Sequence, residues 1–235
     1  MKPQPPRTPS RLSDSVYHQV NMYALAASAA GVGMLGLAQP AEAKIVYTRT
    51  HHVIGSNGSY YLDLSHNGIT DFSLLNRFLP TSGGGYALYE RAAKGNSVWA
   101  SVDDGAEVAV ALRRGTRISA GRPFSHDPAL LAEAIWFVAS SRSFVLGDWV
   151  NVANRYLGLK FQIKGKTHYG WARLTVRVKV RTITATLTGY AYETVPNKPI
   201  IAGETNGPDV VTIQPASLGH LAAGSAGLAA WRPRK

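Results

Sequence analysis

The chain has 235 residues, a formal net charge of +11 and no cysteine. The missing cysteines exclude a disulfide framework, a thiolate metal site and a thiol nucleophile. The cation surplus favours acidic partners, but no nucleic-acid-binding module is recognisable, so nucleic acid is not an expected partner. Lys2, Arg7 and Arg11 open the chain, and 22–38 is an uncharged stretch rich in Ala, Gly, Leu and Met. Gln39-Pro40-Ala41-Glu42-Ala43 follows, with small side chains at the two positions a signal peptidase reads, so 1–43 is expected to be a signal peptide cleaved before Lys44. The apolar run is shorter than the roughly 20 residues of a membrane span, which favours cleavage over retention. The leader carries a net +1 and the last 22 residues +3, leaving +7 on the body. That body is long enough for one domain with its own core.

From Lys44 onward the chain reads as short strands. Lys44-Ile-Val-Tyr-Thr-Arg-Thr and Ser59-Tyr-Tyr-Leu-Asp-Leu are rich in β-branched and aromatic residues. Further runs lie at 97–102, 107–112, 157–163, 168–180 and 182–192, separated by Gly-containing breaks at 55–58, 82–85, 105, 115 and 164–166. Lys164-Gly165 predicts a hairpin with Phe161 and Ile163 facing Tyr169 and Trp171. Thr182-Ile-Thr-Ala-Thr-Leu-Thr alternates with period two, as a strand with one buried face does. Asp127-Pro-Ala-Leu-Leu-Ala-Glu-Ala-Ile-Trp-Phe-Val-Ala breaks the trend. A capping Asp, Pro at the first turn and strong helix formers predict two to three helical turns there. The expected fold is all-β, a mainly antiparallel β-sandwich or jelly-roll over 44–196 with one or two short helices. Residues 197–213 contain Pro, Gly and Asn and read as a linker to the tail at 214–235.

One segment has the oxygen pattern of a cation loop. Asp63, Ser65, Asn67 and Asp71 stand at relative positions 1, 3, 5 and 9, with Gly68 at position 6. Ca²⁺ takes six to eight oxygens, and a tight loop with alternate side chains turned inward supplies them. The segment resembles the nine-residue calcium loops of FG-GAP and integrin-type β-hairpins. By that resemblance Asp63, Ser65, Asn67 and Asp71 would give side-chain oxygens and Ile69 its backbone carbonyl. Two carboxylates imply weak affinity, in the range of extracellular modules. The second reading is a polar hairpin turn between Tyr60-Tyr-Leu and Phe72-Ser-Leu-Leu, with Asn67-Gly68 at positive φ.

Other chemistry is sparse. No H-E-x-x-H zinc motif and no G-x-S-x-G elbow occurs. His126-Asp127 reads as loop plus helix cap, and Asp103-Asp104-Gly105 as a turn. Tyr169, Trp171, Tyr190 and Tyr192 alternate on neighbouring strands. Exposed, they would form a sugar-stacking platform, but large aromatics are more often core. Arg173, Arg177, Lys179 and Arg181 share one parity and read as a solvated strand face, or as a binding row for acidic polysaccharide.

Gln214-Pro-Ala-Ser-Leu-Gly opens the tail, followed by small apolar residues, Trp231 and the basic end Arg232, Arg234 and Lys235. This layout resembles the PEP-CTERM sorting domain of Gram-negative bacteria, with Gln214-Pro215 where that family carries Pro-Glu-Pro. The body also resembles uncharacterised exported proteins of that type. Similar stretches are Tyr61-Leu-Asp-Leu through Asp71-Phe72, Ala111-Leu-Arg-Arg-Gly-Thr-Arg-Ile118 and the block 156–193. The resemblance implies export to the cell surface, outer envelope or extracellular matrix, a sorting and processing enzyme acting on the tail, and association with exopolysaccharide. It implies membrane contact only through leader and tail. The expectation is a non-enzymatic surface protein that binds glycan, with a candidate Ca²⁺ loop. The alternatives are an extracellular polysaccharide hydrolase and a purely structural envelope protein.

Overall fold

The computed structural model describes residues 44–81, 83–179, 181–205 and 210–213. The leader and the tail, with the expectations placed on them, lie outside these residues. The described residues form fifteen strands: β1 (Ile45–Ile54), β2 (Ser59–Leu62), β3 (Phe72–Leu79), β4 (Gly85–Ala92), β5 (Ser97–Asp103), β6 (Ala106–Ala109), β7 (Arg117–Ile118), β8 (Phe124–Ser125), β9 (Ala129–Phe137), β10 (Arg142–Leu146), β11 (Arg155–Ile163), β12 (Lys166–Lys179), β13 (Thr182–Glu193), β14 (Ile200–Ile201) and β15 (Val210–Ile213). The fold is all-β, as the strand spacing predicts. One mixed sheet runs β15-β1-β13-β12-β11-β5-β6-β9-β4-β3-β2, with β10 on β9 and β8 on β5. Among the described residues only the β1–β15 and β6–β9 pairs are parallel. The sheet curls so that β12 and β13 face β9 and β4 across the core, and β1 approaches β2 and β3.

The core follows from strand parity. Ile183, Ala185 and Leu187 of β13 alternate with half-exposed threonines, and Leu174, Val176 and Val178 of β12 point the same way. Facing them are Phe72 and Leu74 of β3, Leu88 of β4, and Ala129, Ala132 and Ala134 of β9. Each large apolar side chain so buried contributes about 1.5–3 kcal/mol. A second cluster lies on the opposite face of β1, β13, β12 and β11. There Tyr47, Tyr156 and Trp171 pack ring to ring and are covered by Ile118 and Ile200, which pair as β7–β14. Gly189 is required there, because a Cβ would come within 2.8 Å of the Tyr47 ring.

Three expectations need correction. Residues 129–137 form the strand β9, not a helix: β9 is hydrogen-bonded to β4 on one side and to β10 and β6 on the other. Its alanines suit the inward positions opposite a crowded core, so tertiary pairing overrides their helix preference. No helix occurs among the described residues. The Lys164-Gly165 hairpin forms, with both residues at positive φ, but the pairs are Phe161↔His168, Lys160↔Tyr169 and Gly158↔Trp171. Phe161 therefore faces the main core, while Tyr169 and Trp171 face the second cluster. Within 197–213, Ile200–Ile201 pairs with β7 and Val210–Ile213 pairs with β1, so these pieces belong to the folded body.

Candidate functional site

The loop between β2 and β3 is closed by its own acids. Asp63 Oδ1 accepts the Asn67 N–H at 3.1 Å and Oδ2 the Gly68 N–H at 2.7 Å, while Asn67 Oδ1 accepts the Ile69 N–H at 2.8 Å. Asp71 is buried beneath the loop, where Oδ2 accepts the Leu64 N–H at 2.8 Å and Oδ1 meets Asn96 Nδ2 at 3.4 Å. Burial raises the Asp71 pKa; the Leu64 and Asn96 hydrogen bonds oppose this, and the Asp63 charge adds to it. Ser65 Oγ is buried without a partner, and Ile69 is exposed. The left-handed positions are His66 and Gly68, so it is His66, not Asn67, that joins the glycine in the turn. His66 Nε2 lies 2.7 Å from Thr48 Oγ1, which ties the loop to β1. The arrangement is a self-capped polar turn that brings two carboxylates and one unsatisfied hydroxyl together. Among the described residues no group of three or more His, Cys, Asp or Glu is placed to hold a metal ion.

Glu193, His168 and His126 are tied into the fold. Glu193 Oε1 accepts the Val195 N–H and Oε2 pairs with Lys198 at 3.2 Å. His168 Nδ1 contacts the Glu193 carbonyl oxygen, and His126 Nδ1 donates to the Asn96 carbonyl oxygen. Glu90 is different: it sits fully buried on β4 with both carboxylate oxygens unpartnered, and burial pushes its pKa up to about 8. On the adjacent strand Asn76 donates from Nδ2 to the Gly55 and Ile183 carbonyls, while its Oδ1 is orphaned. Tyr169, Trp171 and Tyr190 are buried as core aromatics, and Tyr192 is half-buried, so these four make no exposed platform.

What remains open is the outer face of β1, β13 and β12 beyond the β7–β14 cover. Thr182, Thr184 and Thr186 are half-exposed and stand opposite Lys179, Arg177 and Thr175 of β12. Arg177 and Lys179 are exposed. On the other side of β13, Val53 pairs with Thr186, and His51 is exposed beside it. Arg173 leaves this row, because its Nε donates to Thr188 Oγ1 at 2.7 Å and its guanidinium reaches Tyr47 Oη. The three strands contain a single carboxylate, Glu193, buried at the far end of β13. The result is a strand face of hydroxyls and cations with no exposed acid. The alternation 182–188 and the odd-numbered basic residues carried this signal in the sequence; the placement of β1 beside them did not follow from it.

Comparison with protein-family models, with curated proteins and with solved structures gives no match. The fold and the open face therefore define the class of this protein only as an all-β domain with a curled mixed sheet.

Proposed function

We propose that the protein is an exported, non-enzymatic surface or matrix protein whose body binds acidic polysaccharide. The observation that carries this reading is the acid-free face of β1, β13 and β12. Arg177 and Lys179 stand beside a threonine ladder that can hydrogen-bond sugar hydroxyls. Anionic polymers are drawn to such a face by its field, and an extended sheet surface suits an extended chain. The leader and the sorting tail at 214–235 support export to the envelope of a Gram-negative cell, with a processing enzyme acting on the tail. A glycan array probed with the purified chain tests the reading. Acidic glycans should be retained over neutral ones of the same length; equal retention of both, or of none, counts against it.

The loop of Asp63, Ser65, Asn67, Ile69 and Asp71 is proposed as a weak Ca²⁺ site within the same protein. Support comes from the orphaned Ser65 hydroxyl and from Asp71, which burial and, to a lesser degree, the Asp63 charge disfavour as an anion, a cost a cation relieves. At tenfold over its dissociation constant a bound ion stabilises by about 1.4 kcal/mol, or about 3–5 °C in melting temperature for a domain this size. The shift should disappear in Asp63→Asn. Identical melting curves in millimolar calcium and in chelator would remove the site.

A further inference from the structure

The strongest unassigned feature is the β9–β10 hairpin, whose second strand β10 forms an edge of the curled sheet. Its pairs run from Glu133↔Leu146 to Phe137↔Arg142. Every residue of β10 is exposed, and Val138, Phe144, Val145 and Leu146 each keep about half or more of their surface in contact with solvent. Directly opposed residues share a face, so Trp136 and Val145 lie on one side, and Ile135, Phe137, Phe144 and Leu146 on the other. Phe137 and Phe144 pack edge to face at 6.0 Å. On the Trp136 side the apolar surface continues into Tyr86 and the exposed Phe78, with ring centroids 5.6–6.4 Å apart. Solvent-exposed apolar surface of this extent marks an interaction site.

The charges near its tip are positive, while the acids Glu133 and Asp148 stand at its base. Arg142 belongs to the hairpin, and the Arg181 guanidinium lies 5.9 Å from the Trp136 ring centroid. No acidic residue occurs from 134 to 147. Geometry separates the candidate occupants. A second β-strand would cover the free edge of β10 but neither face. A sugar would stack on one ring and leave Val138 and Leu146 in water. Only a medium that closes over the outer edge of β10 reaches apolar side chains on both faces, and the two arginines near the tip match an anionic one.

We propose that the β9–β10 hairpin inserts into the interface of an anionic lipid bilayer, with Arg142 and Arg181 at headgroup phosphates and Trp136 at the polar–apolar boundary. Amphipathic side chains and arginines with long stems partition to that depth, and basic residues add attraction for anionic headgroups. Arg181 stands between Lys179 and Thr182, so this surface adjoins the polysaccharide face, but the proposal does not depend on that reading.

The test is co-sedimentation of the full chain with vesicles of phosphatidylglycerol and phosphatidylcholine, and with vesicles of phosphatidylcholine alone. Contributions from leader and tail are common to all variants, so the difference between variants is the readout. Phe144→Ser with Val145→Ser should weaken binding to anionic vesicles at least tenfold, and Arg142→Glu, a surface change that leaves the apolar residues intact, should do the same. Brominated lipid should quench tryptophan emission in the wild type and less in Trp136→Leu. Unchanged sedimentation of both hairpin variants overturns the proposal, as does equal binding to both vesicle types. So does a concentration-dependent dimer that Phe144→Ser abolishes while vesicle binding stays the same.

Discussion

Replacing Glu90 by Gln should flatten the alkaline side of the protein's stability profile. The carboxyl is fully buried on β4 with no hydrogen-bond partner, and its pKa rises from 4.5 to about 8. Between those values the folded protein keeps the proton that the unfolded chain releases, so stability falls by about 1.4 kcal/mol for each pH unit. Below pH 4.5 the group contributes no loss; by pH 8 the accumulated loss is on the order of 4–5 kcal/mol. Asp71 and Glu133 are raised by burial too, in the same direction, so the comparison between wild type and Glu90→Gln isolates Glu90. Chemical denaturation at pH 4.5, 6 and 8 should show the variant gaining on the wild type as pH rises. Parallel profiles across that range would mean that Glu90 is solvated or paired in the folded protein.

Trp149→Ala should be the most damaging single core substitution outside the sheets. Trp149 is fully buried; its backbone N–H donates to the Leu131 carbonyl at 3.1 Å and its indole Nε1–H to the Ala109 carbonyl at 2.8 Å. It thereby closes the core between β6 and β9. The preceding Gly147, at φ +98°, lets the chain press so close that a Cβ would come within 2.3 Å of the Leu131 oxygen. Truncation leaves a cavity that costs about 3–5 kcal/mol, and the stranded Ala109 carbonyl adds about 1–3 kcal/mol. Trp149→Phe refills most of the volume and retains only the second penalty, so the two variants should separate by a few kcal/mol in urea unfolding. A Trp149→Ala loss below about 1 kcal/mol would show that the surrounding strands collapse into the space.

Much of the sheet was legible because it obeys period two. β1, β2, β5, β11, β12 and β13 fall on the runs of β-branched and aromatic residues, and the Thr-Ile-Thr-Ala alternation shows which face of β13 is inward. β9 was hidden by composition: Ala129, Ala132 and Ala134 are good helix formers that here fill narrow inward positions, and the bulge at Leu88/Tyr89 shifts their parity. β3 and β4 were harder to read because Asn76 and Glu90 occupy inward positions where an apolar side chain is expected. The candidate loop was visible in spacing, but spacing could not show that both Asp63 oxygens accept backbone amides. The exposed hairpin was opaque for the opposite reason. Ile135-Trp-Phe-Val138 and Phe144-Val-Leu146 look like core by hydrophobicity, and only the edge position of β10 places them in solvent. Apolar residues at consecutive positions on both arms of a hairpin, with no acid between them, are the sequence signal to look for.

The proposed binding face makes the sharpest demand. Retention of the chain on an immobilised acidic polysaccharide such as alginate, measured across a salt series, reads the contribution of Arg177 and Lys179 directly. The wild type should be retained at low salt and released as salt rises. Arg177→Glu with Lys179→Glu should abolish retention at every salt concentration, while Phe144→Ser with Val145→Ser should be retained like the wild type. Retention of the charge-reversed variant equal to that of the wild type would contradict the assignment of this face.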